Sequence, residues 1–168
     1  VTNTFTVGDI NIDLYEHVYN PGTNTLATGN TDNDITRDGN SGYKFIPGTN
    51  LPKDPTVVVK GTSEACYLFI YVEATNWPST SNISYSVLTT GNNPWISVDG
   101  HVGYFYREVE ASTNDQSFKI LTGDTIMVST DLTKDEMKTI GTGANAPKLT
   151  FTACAVQKDN IADVTAAW

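Results

Sequence analysis

The sequence predicts an all-β fold, a two-sheet jelly-roll-like sandwich with one or two short helices. Three observations lead there. Short apolar stretches with period-2 alternation recur along the chain, and turn signals such as Asp99-Gly100 and Gly123-Asp124 separate them. The composition is rich in β-branched and aromatic residues, with eight Tyr and only 17% charged residues, which suits pleated, half-buried surfaces. The 168 residues suffice for one domain around one core, and no internal repeat or linker divides 1–168.

The first element is "TNTFTVGDINIDLYEH" at 2–17. Phe5 and Val7 are apolar at odd positions, whereas Ile10, Ile12 and Leu14 are apolar at even ones. Side chains alternate faces along a strand, so one residue has been inserted near Gly8-Asp9. The pattern predicts one kinked strand over 4–16 with a β-bulge at the glycine, a device suited to a sheet edge. Residues 18–42 are polar and turn-rich, and a loop of that length is expected to be functional or disordered. Three prolines in 46–55 predict a rigid connector outside regular pairing.

Strands are then expected at 56–61 and 65–74. In the second, Cys66, Leu68, Ile70 and Val72 share one face, and Tyr67, Phe69, Tyr71 and Glu73 the other. Further strands are expected at 83–88, 95–98, 102–109, 117–121, 125–129 and 148–157. Asp99-Gly100 between two apolar runs predicts a hairpin. Thr133 and Glu136 have capping-box spacing and Gly141 supplies a stop, so a helix is predicted over 133–140. A second short helix is expected at 160–168.

Composition also excludes function classes. A net charge of −9 repels phosphate, so nucleic acid and anionic membranes are poor partners. No apolar run approaches the ~18 residues of a membrane span. There are two histidines, His17 and His101, and no H-E-x-x-H. Both are expected to face solvent; a zinc hydrolase would need them to converge with carboxylates such as Glu16 or Asp99. No serine lies in G-x-S-x-G, and Cys66, on the face of Leu68 and Ile70, reads as a core thiol.

Residues from Asp34 to Gly39 resemble the start of a calcium loop, but its twelfth position is Phe45 where a bidentate Glu is needed. Asp32, Asp34, Asp38 and Asn40 are candidates for an irregular calcium site, against the plainer reading of a solvated loop. If Leu68 faces the core, Tyr67, Phe69 and Tyr71 point outward, to be covered by loop 18–42, met by a partner, or stacked on sugar rings. Trp77, Trp95, Tyr104 and Tyr106 add to that aromatic inventory. Cys66 and Cys154 are a candidate disulfide, although alternation puts Leu149, Phe151 and Ala153 on one face and Cys154 on the other.

"TFTVGDINIDL" (4–14), "IPGTNLPKDPTVVVKGTSEACYLFIYVE" (46–73) and "KLTFTACAVQKDNIADVTAAW" (148–168) resemble the camelysin/TasA-like exported proteins of Gram-positive bacteria. The resemblance implies a jelly roll, export through a signal peptide cut by a dedicated signal peptidase, and a place outside the cell, on its surface or in a biofilm matrix. It implies a structural fibre subunit in which the N-terminal segment of one copy completes the sheet of the next. Carried onto this chain, the assembly strand is Phe5, Val7, Gly8, Ile10, Ile12 and Leu14. The implied partners are further copies or other matrix proteins, with polysaccharide contact as an additional one. No cofactor is called for. Two alternatives stand beside this reading. One is a secreted metallopeptidase of the camelysin type, for which no ligand set is found here. The other is a carbohydrate-binding module using Trp77 or Trp95.

Overall fold

The computed structural model describes residues 2–6, for which the backbone course alone is given, 9–158, and 168. In chain order its strands are β1 (Thr2–Thr6), β2 (Ile12–His17), β3 (Tyr19–Asn20), β4 (Thr25–Leu26), β5 (Ile35–Thr36), β6 (Leu51–Pro52) and β7 (Thr56–Val59). There follow β8 (Cys66–Thr75), β9 (Ile83–Ser84), β10 (Ile96–Ser97), β11 (Tyr104–Val109), β12 (Gln116–Lys119), β13 (Thr125–Val128) and β14 (Lys148–Gln157). One helix, α1 (Lys134–Lys138), lies between the last two. The expected helix at 160–168 lies outside the described residues except for Trp168.

The fold is an all-β sandwich. One sheet has the order β1-β14-β8-β11-β10 and the other β12-β7-β2-β5. A three-stranded sheet, β6-β13-β9, and the β3-β4 hairpin complete it. Leu14, Val57 and Val59 of one main sheet and Leu68, Ile70, Phe151 and Ala155 of the other share a single core. Each of these seven residues is 2% exposed or less. Period-2 alternation explains β8 and β14: Cys66, Leu68, Ile70 and Val72, and Leu149, Phe151, Ala153 and Ala155, are all buried.

The block at 4–16 is not one bulged strand. β1 belongs to the five-stranded sheet and β2 to the four-stranded one. The change of phase marks the passage from one layer to the other. Beyond it, Ile12, Leu14 and Glu16 point inward while Asp13, Tyr15 and His17 are half-buried.

Residues 46–55 do pair, contrary to the expectation from their prolines. Leu51 and Pro52 of β6 face Ile126 and Thr125 of β13. β6 is outermost in its sheet, where a proline can turn its missing N–H away from the ladder. Loop 18–42 is folded rather than loose. β5 pairs with the end of β2, and the Asn40 side chain donates to the His17 carbonyl (2.9 Å) and accepts from the Tyr19 N–H (2.9 Å).

The capping box at α1 forms in full: Glu136 N–H donates to Thr133 Oγ1 at 3.1 Å, and Thr133 N–H to Glu136 Oε1 at 3.0 Å. The helix itself is shorter than 133–140. The β10-β11 hairpin forms around Asp99-Gly100, with Ile96 opposite Tyr106. Gly103 at its foot has φ +85°, and a Cβ there would stand 2.8 Å from the Val72 carbonyl oxygen.

Candidate functional site

β1 runs parallel to β14, from Thr2 opposite Phe151 to Thr6 opposite Ala155. Parallel neighbours normally need a crossover connection. Here the connection is everything between the two strands, residues 7–147. β1 is the outermost strand, held by β14 from one side, while β14 is held on its other side by a ten-residue antiparallel ladder with β8. The candidate assembly residues therefore divide. Phe5 lies in β1 opposite Cys154. Ile10, Ile12 and Leu14 are fixed in the core of their own subunit. Val7 and Gly8 lie outside the described residues.

The candidate disulfide is not formed; both cysteines are free. β8 and β14 are neighbours, but Cys154 stands opposite Phe69 and Cys66 opposite Gln157. At ~3.3 Å per residue the three-residue offset separates the thiols by roughly 10 Å along the strands. They also lie on opposite faces, Cys66 wholly buried and Cys154 half-buried. Burial pushes the Cys66 thiol up to about 11 and the Cys154 thiol upward as well.

The outward aromatic face is covered in part, and among the described residues the cover includes Trp168. Tyr67 and Phe69 are buried, and Trp168 packs on Phe69 (ring centroids 5.3 Å apart), His101 (4.8 Å) and Tyr104 (4.9 Å). Tyr71 and Tyr104 stack at 4.3 Å. Trp95 is a core residue, 1% exposed, with its indole N–H donating to the Lys119 carbonyl at 2.9 Å. That closes Trp95 to a sugar. Trp77 stays half-buried, donates to the Ile83 carbonyl at 3.3 Å, and meets Tyr85 edge-on.

The two histidines do not converge. His17, expected to face solvent, has both ring nitrogens engaged: Nδ1 lies 2.6 Å from Asp54 Oδ2 and Nε2 3.0 Å from the Gly29 carbonyl. His101 lies in the β10-β11 turn against Trp168. Among the described residues no group of three His, Cys, Asp or Glu is placed to hold a metal ion. Among the described residues, then, His17 and His101 are not brought together with carboxylates as the metallopeptidase reading requires. Two of the four candidate calcium residues, Asp34 and Asn40, are engaged internally. Asp34 accepts from the Thr31 N–H (3.1 Å) and hydroxyl (2.7 Å), bonds that hold its carboxyl below the usual range, and Asn40 is the clamp already described. Asp32 and Asp38 are exposed.

Next to His17 lies a buried ion pair, Glu16 and Lys53, with Nζ 2.8 Å from Oε1. The ammonium also lies over the rings of Tyr43 (5.5 Å) and Phe151 (5.7 Å). The Tyr43 hydroxyl donates to the Pro52 carbonyl at 3.0 Å, and its ring stacks on Tyr19; burial raises its phenol strongly.

Lys53 and Tyr43 open onto a cleft of about 810 Å³ between residues 38–45 and 137–150. Its buried lining includes Leu149 and Ile126, and Trp77 and Phe45 add aromatic surface. Lys44 and Lys148 are exposed on its two walls. Among the described residues neither has a carboxylate within ion-pair distance. Both walls use glycine where the chain folds tightly: Gly42 has φ +85°, and a Cβ on Gly141 would collide with the Asn145 carbonyl. Sequence reasoning missed this cleft. The signals available were the short runs "SGYKF" and "GTGANAPK", each with glycine, a lysine and no strand pattern. No protein-family model, curated protein sequence or solved structure matches the chain.

Proposed function

We propose that the chain is a secreted structural protein, a subunit of a biofilm matrix or surface fibre, that assembles by N-terminal β-strand addition. The observation that supports this reading is the position of β1. Among the described residues it is an outermost strand, paired on one side only, parallel to β14. A second copy carries the same five residues and the same β14. Exchange replaces each backbone pair with an identical one, so the contacts in the closed and exchanged states are nearly equal in energy. The balance then falls to the linking residues and to protein concentration. Exchange propagated from copy to copy gives a fibre; exchange between two copies gives a closed dimer.

The test compares the full chain with a chain lacking residues 1–6, by size-exclusion chromatography with light scattering and by electron microscopy over a range of concentrations. A synthetic peptide of residues 1–8 is then added to the shortened chain. Concentration-dependent oligomers or fibres from the full chain alone, and saturable binding of the peptide to the shortened one, are expected. A full chain that stays monomeric at every concentration, with no peptide binding to the shortened chain, refutes the reading.

A further inference from the structure

We propose that the cleft between residues 38–45 and 137–150 binds a carboxylated oligosaccharide, a chain of uronic-acid sugars. The inference stands apart from the assembly reading, because none of its residues lies in β1. The volume of about 810 Å³ is that of a small-molecule site, for which roughly 300–1,000 Å³ is usual.

Charge is the first argument. The chain has 19 acidic residues and 10 Lys or Arg, yet the cleft is lined by three lysines and one carboxylate, Asp38. Lys53 is neutralised by Glu16, whereas Lys44 and Lys148, one on each wall, have no carboxylate within ion-pair distance among the described residues. Their placement favours a ligand with anionic groups spaced along it. A nucleic acid carries its charge far more densely and meets the repulsion of the whole −9 chain.

The second argument is the character of the walls. Residues 38–45 and 139–147 contain no strand, and the edge of β14 that reaches the cleft ahead of its pairing with β1 is at most three residues, Lys148–Thr150, a short ladder for an extended acidic peptide to join. The walls instead offer hydroxyl groups from Ser41, Thr142 and Thr150, the partners sugar hydroxyls take. Trp77 and Phe45 supply the apolar faces on which pyranose rings stack.

The experiment titrates the full chain with a tetramer of galacturonic acid, the neutral galactose tetramer and a short poly-glutamate, using calorimetry and amide chemical-shift mapping. The uronate is expected to bind, with shifts at 38–45 and 141–150 and at the Trp77 indole, while the other two do not. Lys44→Glu with Lys148→Glu, at two exposed positions, should weaken uronate binding at least about tenfold, as should raised salt. Three results overturn the proposal: no uronate binding, equal binding by the double variant, or shifts elsewhere on the protein. Poly-glutamate binding as tight as uronate would assign the cleft to acidic peptides, and galactose binding as tight would remove the role of charge; either refutes it. A monomeric chain that binds uronate at the cleft would separate this site from the assembly reading.

Discussion

Glu16 and Lys53 face each other with side chains 4% and 6% exposed and Nζ 2.8 Å from Oε1. Replacing Glu16 with Leu leaves the ammonium in place with two aromatic rings, at 5.5 and 5.7 Å, as its neighbours. Rings at that range recover about 1 kcal/mol, whereas stripping one partner from a buried pair costs about 3–5 kcal/mol. Glu16→Leu alone should therefore lower stability by about 3 kcal/mol, and the melting temperature by on the order of 10 °C for a chain of this size. The double variant Glu16→Leu, Lys53→Met removes both charges and keeps similar volume, and should return to within about 1–2 kcal/mol of the original. Urea unfolding of the four proteins in the cycle gives the coupling directly, expected at about 2 kcal/mol or more. A single-variant loss below about 1 kcal/mol would mean that water from the neighbouring cleft solvates Nζ, and the argument from burial would be wrong.

Three further outcomes follow from the same structure. The Arg37 guanidinium grips Asp13 through two bonds of 2.8 and 2.7 Å and holds that carboxyl below its ordinary value. A depressed folded-state value contributes stability that is present above the unfolded value of about 3.9 and lost as pH falls through the lowered one. Arg37→Met should thus be less stable than the parent at pH 6, with the gap closing on acidification through the region below about pH 4; a gap that persists unchanged at pH 2 refutes this. With its thiol pushed up to about 11, wholly buried Cys66 should resist a disulfide reagent at pH 8 until the protein unfolds, while half-buried Cys154 reacts first; two equally fast thiols would contradict the packing. Arg107 is 7% exposed, its guanidinium carbon lies 4.0 Å from the Phe118 ring centroid and 5.4 Å from that of Trp95, and its Nε has no hydrogen-bond partner among the described residues. Arg107→Met should be neutral or stabilising by about 1 kcal/mol in the urea midpoint, and a loss above about 2 kcal/mol would show that the stacked cation outweighs its desolvation.

Much of the sandwich is legible because burial imposes a period. β8 is readable from Cys66 to Val72 because every second residue meets the opposite sheet, and the capping box of α1 is readable because its two bonds need fixed spacing. The outer face of β8 was not readable. Tyr67 and Phe69 are buried there by a cover that includes Trp168, and nothing local in the strand announces it. The 4–16 block misleads for a related reason. A bulge within a strand and a crossing between sheets both shift the phase by an odd number of residues, so the pattern alone does not separate them. The cleft is less legible still. Its walls are roughly a hundred residues apart in the chain, are mostly irregular, and carry no repeat for the eye to follow.

The charged cluster at the end of β2 shows what register adds to pattern. β2 and β7 run antiparallel, with Ile12 opposite Val59 and Tyr15 opposite Thr56. Continued in the same register, Glu16 comes opposite Pro55 and His17 opposite Asp54. Pro55 has no N–H, so the backbone ladder loses a donor where the strand leaves the core. The Asp54 side chain takes over. Its Oδ1 accepts the His17 backbone N–H at 2.9 Å and its Oδ2 meets the ring at 2.6 Å, while the preceding pair, Glu16 and Lys53, closes across the same end. Four charged or titratable residues that look like two unrelated dipeptides, Glu16-His17 and Lys53-Asp54, therefore form one structural lock. The lock fixes the floor of the cleft, since Lys53 belongs to both. That shared residue is why the stability cycle at Glu16 and Lys53 and the sugar titration at Lys44 and Lys148 must use different positions.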